Sequence, residues 1–265
     1  MKNLLLVGGL LVSVASFANT VEMAEELYSL RGEDVSNAQE AAKIYGDLAN
    51  ASTEKGEKAN LYFKQSEAVY FIGTQNKDED EQEKIHENGY ELANKAVKLL
   101  EGQVDDFEQE ETLAKAYFFY GANLGKWAEA RGIGSSLGRA GELKDTMNKI
   151  IDLGQEDIEN YGANRILGRV YFKLPVIAGG SKKKAEKILA EAFENTLSDD
   201  ADVSVHGLNN LYYAEALEAR NKKDQACEIL KEFSVQDPET LLDTRIPETA
   251  LEIEQAKKLM NDYKC

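Results

Sequence analysis

An all-α fold, built from paired helices stacked into a superhelix, is what this sequence predicts, and three observations carry the prediction. Apolar residues recur at helical spacing through nearly the whole chain, and no stretch alternates with period two as a half-buried strand would. Ala, Glu, Lys and Leu abound, while only 3 prolines interrupt 265 residues. The helical segments also fall into antiparallel pairs of similar size, the layout of proteins whose hairpins supply each other's core.

The first segment reads as a secretory leader. Lys2 gives a positive start, Leu4 to Val14 is apolar, and Ser16-Phe17-Ala18 is a small-x-small cleavage site. The apolar run is too short for a membrane anchor, and no cysteine stands at the cleavage point to carry a lipid. Residues 1–18 are expected to be removed, leaving 19–265 as one helical-repeat domain in the periplasm. Helices are then expected at about 20–30, 36–51, 54–72, 80–100, 108–124, 137–152, 157–173, 181–195, 203–219, 222–233 and 247–263. Stop signals separate most of them: Arg31-Gly32, Gly73, Gly102, Gly132, Gly154, Gly179-Gly180 and Asp237-Pro238.

Within this series the window 207–240 is a 34-residue unit. Ala214 and Leu217 mark its first helix, Asn221 the turn, Ala226, Leu230 and Phe233 the second helix, and Pro238 its end. Leu167, Gly168 and Tyr171 followed by Ala185, Leu189 and Ala192 repeat the pattern, with a longer elbow at Pro175–Gly180. Tyr120, Gly121 and Leu124 with Met147 and Ile151 repeat it again across a Gly-rich insertion. Gln65, Ser66 and Val69 with Ala93 and Ala96 form a weaker copy. Those offsets are the tetratricopeptide pattern, so the expected fold is a tetratricopeptide-like helical-hairpin superhelix.

The stretches "YGANLGKWAEARGI", "ANRILGRVYFKLPVIAGGSKKKAEKIL" and "LYYAEALEARNKKDQACEILKEF" resemble the tetratricopeptide-like periplasmic components that accompany TRAP-type transporters. A more distant similarity is to the regulator-of-microtubule-dynamics proteins. The resemblance spans roughly residues 54–233, and its most specific piece is Gly168 to Ser181. It implies a superhelical body that binds a partner, notably a substrate-binding subunit, without catalysis. It also implies an apolar channel able to hold a ligand. Many such relatives are lipoproteins, and the missing lipid-bearing cysteine departs from them.

Composition narrows the partners. A formal charge of −17 disfavours nucleic acid and anionic membranes. Gly179-Gly180-Ser181-Lys182 lacks the Walker spacing and a preceding strand, so it reads as an elbow with Ser181 capping the next helix. Gly132 to Gly138 misses the dinucleotide fingerprint by one residue and reads as a flexible insertion able to line a binding surface. His86 and His206 have no ligand-spaced companions, which leaves a metal site or a catalytic base with little support, and no cofactor is implied.

The expected function is a non-enzymatic exported scaffold for a periplasmic substrate-binding protein, with an apolar or acidic small molecule in its interior. A general envelope adaptor is the alternative, and homo-oligomers stay open. Trp127 and Arg131, one helical turn apart, are the first candidates for a partner-facing pair, against packing of Trp127 between helices. Tyr120, Tyr171 and Tyr212 belong to aromatic clusters that either fill the core or line a concave face. Cys227 and Cys265 either form a disulfide that ties down the C-terminal tail or remain a buried thiol and a tail thiol.

Overall fold

Eleven α-helices are present in the computed structural model, which describes residues 20–265 apart from the side chain of Ile133. They are α1 (Val21–Ser29), α2 (Val35–Ala51), α3 (Lys55–Gln75), α4 (Glu79–Leu100), α5 (Phe107–Ala130) and α6 (Ile133–Asp152). The series continues with α7 (Gly162–Lys173), α8 (Lys182–Glu194), α9 (Gly207–Glu218), α10 (Lys223–Ser234) and α11 (Ile246–Tyr263). Thr20, Asp34, Asp78, Asp106 and Ser181 each accept a hydrogen bond from a backbone N–H in the first turn of their helix, satisfying donors that would otherwise lack partners. Among the described residues the only β pairing is an isolated bridge between Leu197 and Ser204.

Each helix packs on the next, and α3 also touches α5, α7 touches α9, and α9 touches α11. That pattern puts the odd-numbered helices side by side on one face. The small residues expected to permit close approach do so. A Cβ on Gly168 would lie 2.4 Å from Leu189 Cγ, and one on Gly121 would lie 2.3 Å from Met147 Cε. Ala214, Leu217, Ala226, Leu230 and Phe233 share one buried cluster. The elbow holds too: Val176–Ala178 make a short 3-10 turn, Gly179 has φ 86°, and Ser181 Oγ accepts from Lys184 N at 3.2 Å.

Three local readings need correction. The Gly-rich segment after Gly132 is not a flexible insertion; it is the first part of α6. Gly132, with φ 93°, turns the chain out of α5, and Ser136 Oγ donates to Ala128 O at 2.9 Å. Buried Ala140, Leu143 and Met147 then hold α6 in place, so packing overrides the weak helix propensity of Gly134, Gly138 and Gly141. Next, α7 begins at Gly162 instead of Asp157, because Glu159, Asn160 and Tyr161 are left-handed at φ 53°, 55° and 58°. Finally, α9 begins at Gly207 instead of Val203. Ser204 N donates to Asn210 Oδ1 at 2.9 Å and Asn210 Nδ2 donates back to Ser204 O at 2.8 Å, which holds that segment non-helical.

The two ends of the helical series meet. Arg31, after α1, donates from Nε and Nη2 to the two carboxylate oxygens of Glu248 on α11, each at 3.0 Å and across 217 residues. Arg31 also donates to Thr244 O at 2.5 Å and lies over the Tyr28 ring at 4.5 Å. The superhelix therefore closes on itself. At the far end of α11, Lys264 turns left-handed and Cys265 N donates to Met260 O at 2.9 Å. This hook brings Cys265 onto α10, where it is disulfide-bonded to Cys227.

Between α3, α4 and α5 sits a buried polar hub. Asn123 Nδ2 donates to Ser66 Oγ at 3.1 Å and to Phe119 O at 3.0 Å, while its Oδ1 meets His86 Nδ1 at 3.0 Å. Burial lowers the His86 imidazole from about 6.5 to about 4, against the Asn123 bond that favours its charged form. The folded value lies below the unfolded one, so the unfolded chain takes the proton first. Stability from neutral His86 is complete above about pH 6.5 and drains away as pH falls to about 4, a linkage of about 3 kcal/mol. Urea unfolding should show a shallower loss between pH 6.5 and 4 in His86→Gln than in the parent. Parallel curves would refute this.

Candidate functional site: the interior cavity

Closure of the ring frames a partly open cavity of about 1440 Å³, larger than the ~300–1,000 Å³ of ordinary small-molecule sites. Its wall comes from α1, α3, α5, α7, α9 and α11 with Tyr45 of α2 and the first half of α6, while α4, α8 and α10 contribute nothing to it. One side is aromatic. Phe118 meets Phe119 edge to face at 5.1 Å, Phe119 stacks on Phe63 at 6.3 Å, and Phe119 meets Tyr70 at 6.5 Å.

Charged residues share the wall, and those on α7 have a regular source. Arg165, Arg169 and Lys173 stand at successive turns of α7, and all three reach the cavity. Arg169 pairs with Glu215 on α9 and lies 4.2 Å over the Tyr212 ring. Arg165 is 4% exposed, and its Nη1 donates to Glu159 O, Asn160 O and Asn209 Oδ1, each at 3.1 Å. Those bonds clamp the left-handed turn ahead of α7. Burial, with Arg245 nearby, lowers Arg165 to about 10. On α11, Glu252 accepts from Arg245 at 2.8 Å, and burial pushes its carboxyl up to about 7. On α3, burial and the charge of Glu159 push Glu67 up to about 7. His206, completely buried at the start of α9, is driven well below its usual value by burial and by Arg165 and Arg245.

The five residues singled out from the sequence do not converge. Tyr212 alone lines the cavity. Trp127 does stand beside Arg131, whose guanidinium lies 5.1 Å over its ring, but Trp127 is 8% exposed and packs edge to face on Tyr90 at 5.9 Å. Arg131 pairs with Glu83 at 2.9 Å. Tyr120 donates to Glu142, and Tyr171 accepts from Lys184 Nζ at 2.7 Å, both away from the cavity wall.

The residues missed were the charged ones. Their signal was a charge placed within an apolar stripe: Glu67 lies four residues from both Phe63 and Phe71, and Arg165, Arg169 and Lys173 recur every four. Among the described residues no group of His, Cys, Asp and Glu has the arrangement of a metal site, and no helix is long and apolar enough to cross a membrane. No protein-family model matches the chain, and no curated protein matches it either.

Proposed function

We propose that this chain is a non-enzymatic exported scaffold that shelters a small molecule in its interior and docks a periplasmic protein, the substrate-binding subunit of a transporter. The observation that carries the reading is the cavity of about 1440 Å³ inside the ring, with both aromatic and charged residues in its wall. A wall of that kind solvates an apolar body and fixes a polar group at once. The docking half of the proposal draws on the resemblance of residues 54–233 and on the elbow between α7 and α8. There Val176 and Ile177 are 82% and 98% exposed, next to Leu174 and Pro175 at the cavity wall.

Titration of the folded chain with the neutral fluorophore 1-aminoanthracene tests the chamber. Saturable binding is expected, and Gly125→Phe should weaken it at least tenfold. Gly125 lines the cavity, and a Cβ there meets only Leu143 Cδ2, at an ordinary 3.6 Å. The substitution also raises helix propensity, and circular dichroism checks that the variant is folded. Unsaturable binding, or unchanged affinity in a folded Gly125→Phe chain, would remove the chamber from the proposal. A pull-down should enrich one substrate-binding protein; a broad catch of envelope proteins would favour the adaptor reading.

A further inference from the structure

Resting on the reading of the interior as a ligand chamber, we infer that the wall where α7, α9 and α11 converge seats a carboxylate, and that the occupant is an amphipathic monocarboxylic acid. Arg165 is the anchor. It is almost fully buried, yet it enters no ion pair among the described residues, and its three hydrogen bonds all leave from Nη1. Nε and Nη2 remain for a ligand. The charges of Glu159 and Glu252 act on Arg165 without reaching ion-pair contact, so the burial of its guanidinium is only partly offset, and a carboxylate binding it in two-point fashion removes the rest of that cost.

The neighbouring side chains carry the same deficit. Eight buried side-chain polar atoms lack a hydrogen-bond partner among the described residues, and five cluster here: both ring nitrogens of His206, Arg245 Nε, Thr249 Oγ1 and Glu252 Oε2. His206, Arg245 and Glu252 share the cavity wall with Arg165. Two of those on the wall, His206 and Arg245, carry hydrogen donors, which suits an acceptor-rich head group. Glu252 is the one carboxyl in the cluster, and near neutral pH it is partly protonated, so it also offers a hydroxyl. Of the other charged groups on this wall, Arg31 pairs with Glu248 and Arg169 with Glu215, while Glu159, Lys173 and Asp243 also line the cavity.

The apolar body has a continuous path from this seat. Arg165 lies 5.8 Å over the Phe118 ring, and from Phe118 the aromatic side runs on through Phe119 to Phe63. A head at Arg165 thus puts a tail on the aromatic wall.

Displacement of 1-aminoanthracene by decanoate and by its uncharged analogue decanamide tests the seat. Decanoate should displace the fluorophore at a concentration at least tenfold lower than decanamide. In Arg165→Gln, whose amide can still donate to the turn, that ratio should fall close to one. If circular dichroism or loss of fluorophore binding shows that this variant has lost its wall, Arg245→Gln gives the reading, with the same fall expected. A ratio near one in the parent chain, or a ratio retained in the folded variant, overturns the carboxylate seat while leaving the chamber standing. Failure of the fluorophore itself to bind removes the chamber, and the seat with it.

Discussion

Replacing Arg31 by methionine should destabilise the chain by about 3–5 kcal/mol in urea unfolding, the usual cost of breaking a buried pair by removing one partner. Arg31 is 6% exposed and its partner Glu248 18%, so both charges are largely out of water. The variant strands Glu248 on the wall that also carries Glu67 and Glu159. It further removes the cation from between Tyr28 and Phe71, which it faces at 4.5 and 5.4 Å. The double variant Arg31→Met, Glu248→Met should recover much of the loss, because neither partner of the pair is then left as a lone charge. The ring has no other bidentate ion pair joining α1 to α11 among the described residues, so the single variant should also weaken 1-aminoanthracene binding. A single variant within 1 kcal/mol of the parent would show that the clasp contributes nothing to closure.

Second in size is the disulfide. Cys227→Ser, or reduction of the parent chain, should cost about 4 kcal/mol, since the bond closes a loop of 38 residues and restricts the unfolded chain. For a chain of this length that lowers Tm by roughly 10 °C. The loss should concentrate in α11, which the bond holds against α10 and which carries both Glu248 of the clasp and Glu252 of the cavity wall. Hydrogen exchange should therefore quicken in α11 before it does in α3 or α5. Equal melting points with and without reductant would refute the expectation.

Helix positions were legible in the sequence because they depend on neighbours three and four residues away and on turn residues at fixed places. Asp34 and Ser181 cap helices whose apolar stripes begin within the first turn after them, and Pro175 to Gly180 makes the elbow that its composition announces. The hairpin pairing was legible for a related reason: Gly168 against Leu189 and Ala214 with Leu230 are contacts between adjacent helices. The start of α6 was misread because Gly134, Gly138 and Gly141 weaken a helix locally, whereas Ala140, Leu143 and Met147 secure it through burial against α5. The left-handed turn at Glu159 to Tyr161 escaped notice because what holds it, Arg165 together with Asn209 on α9, is not local either.

The sequence by itself determined an all-α fold and, among the described residues, the eleven helices and the order in which they pair, since each of those features is settled within a few turns of chain. Only the tertiary structure decided that α1 returns to α11, that Cys265 reaches Cys227, and that α7 turns Arg165 and Arg169 inward instead of toward solvent. Those outcomes depend on the accumulated rotation of successive hairpins. No short stretch of residues encodes that sum, and it alone brings charges 217 residues apart to 3.0 Å.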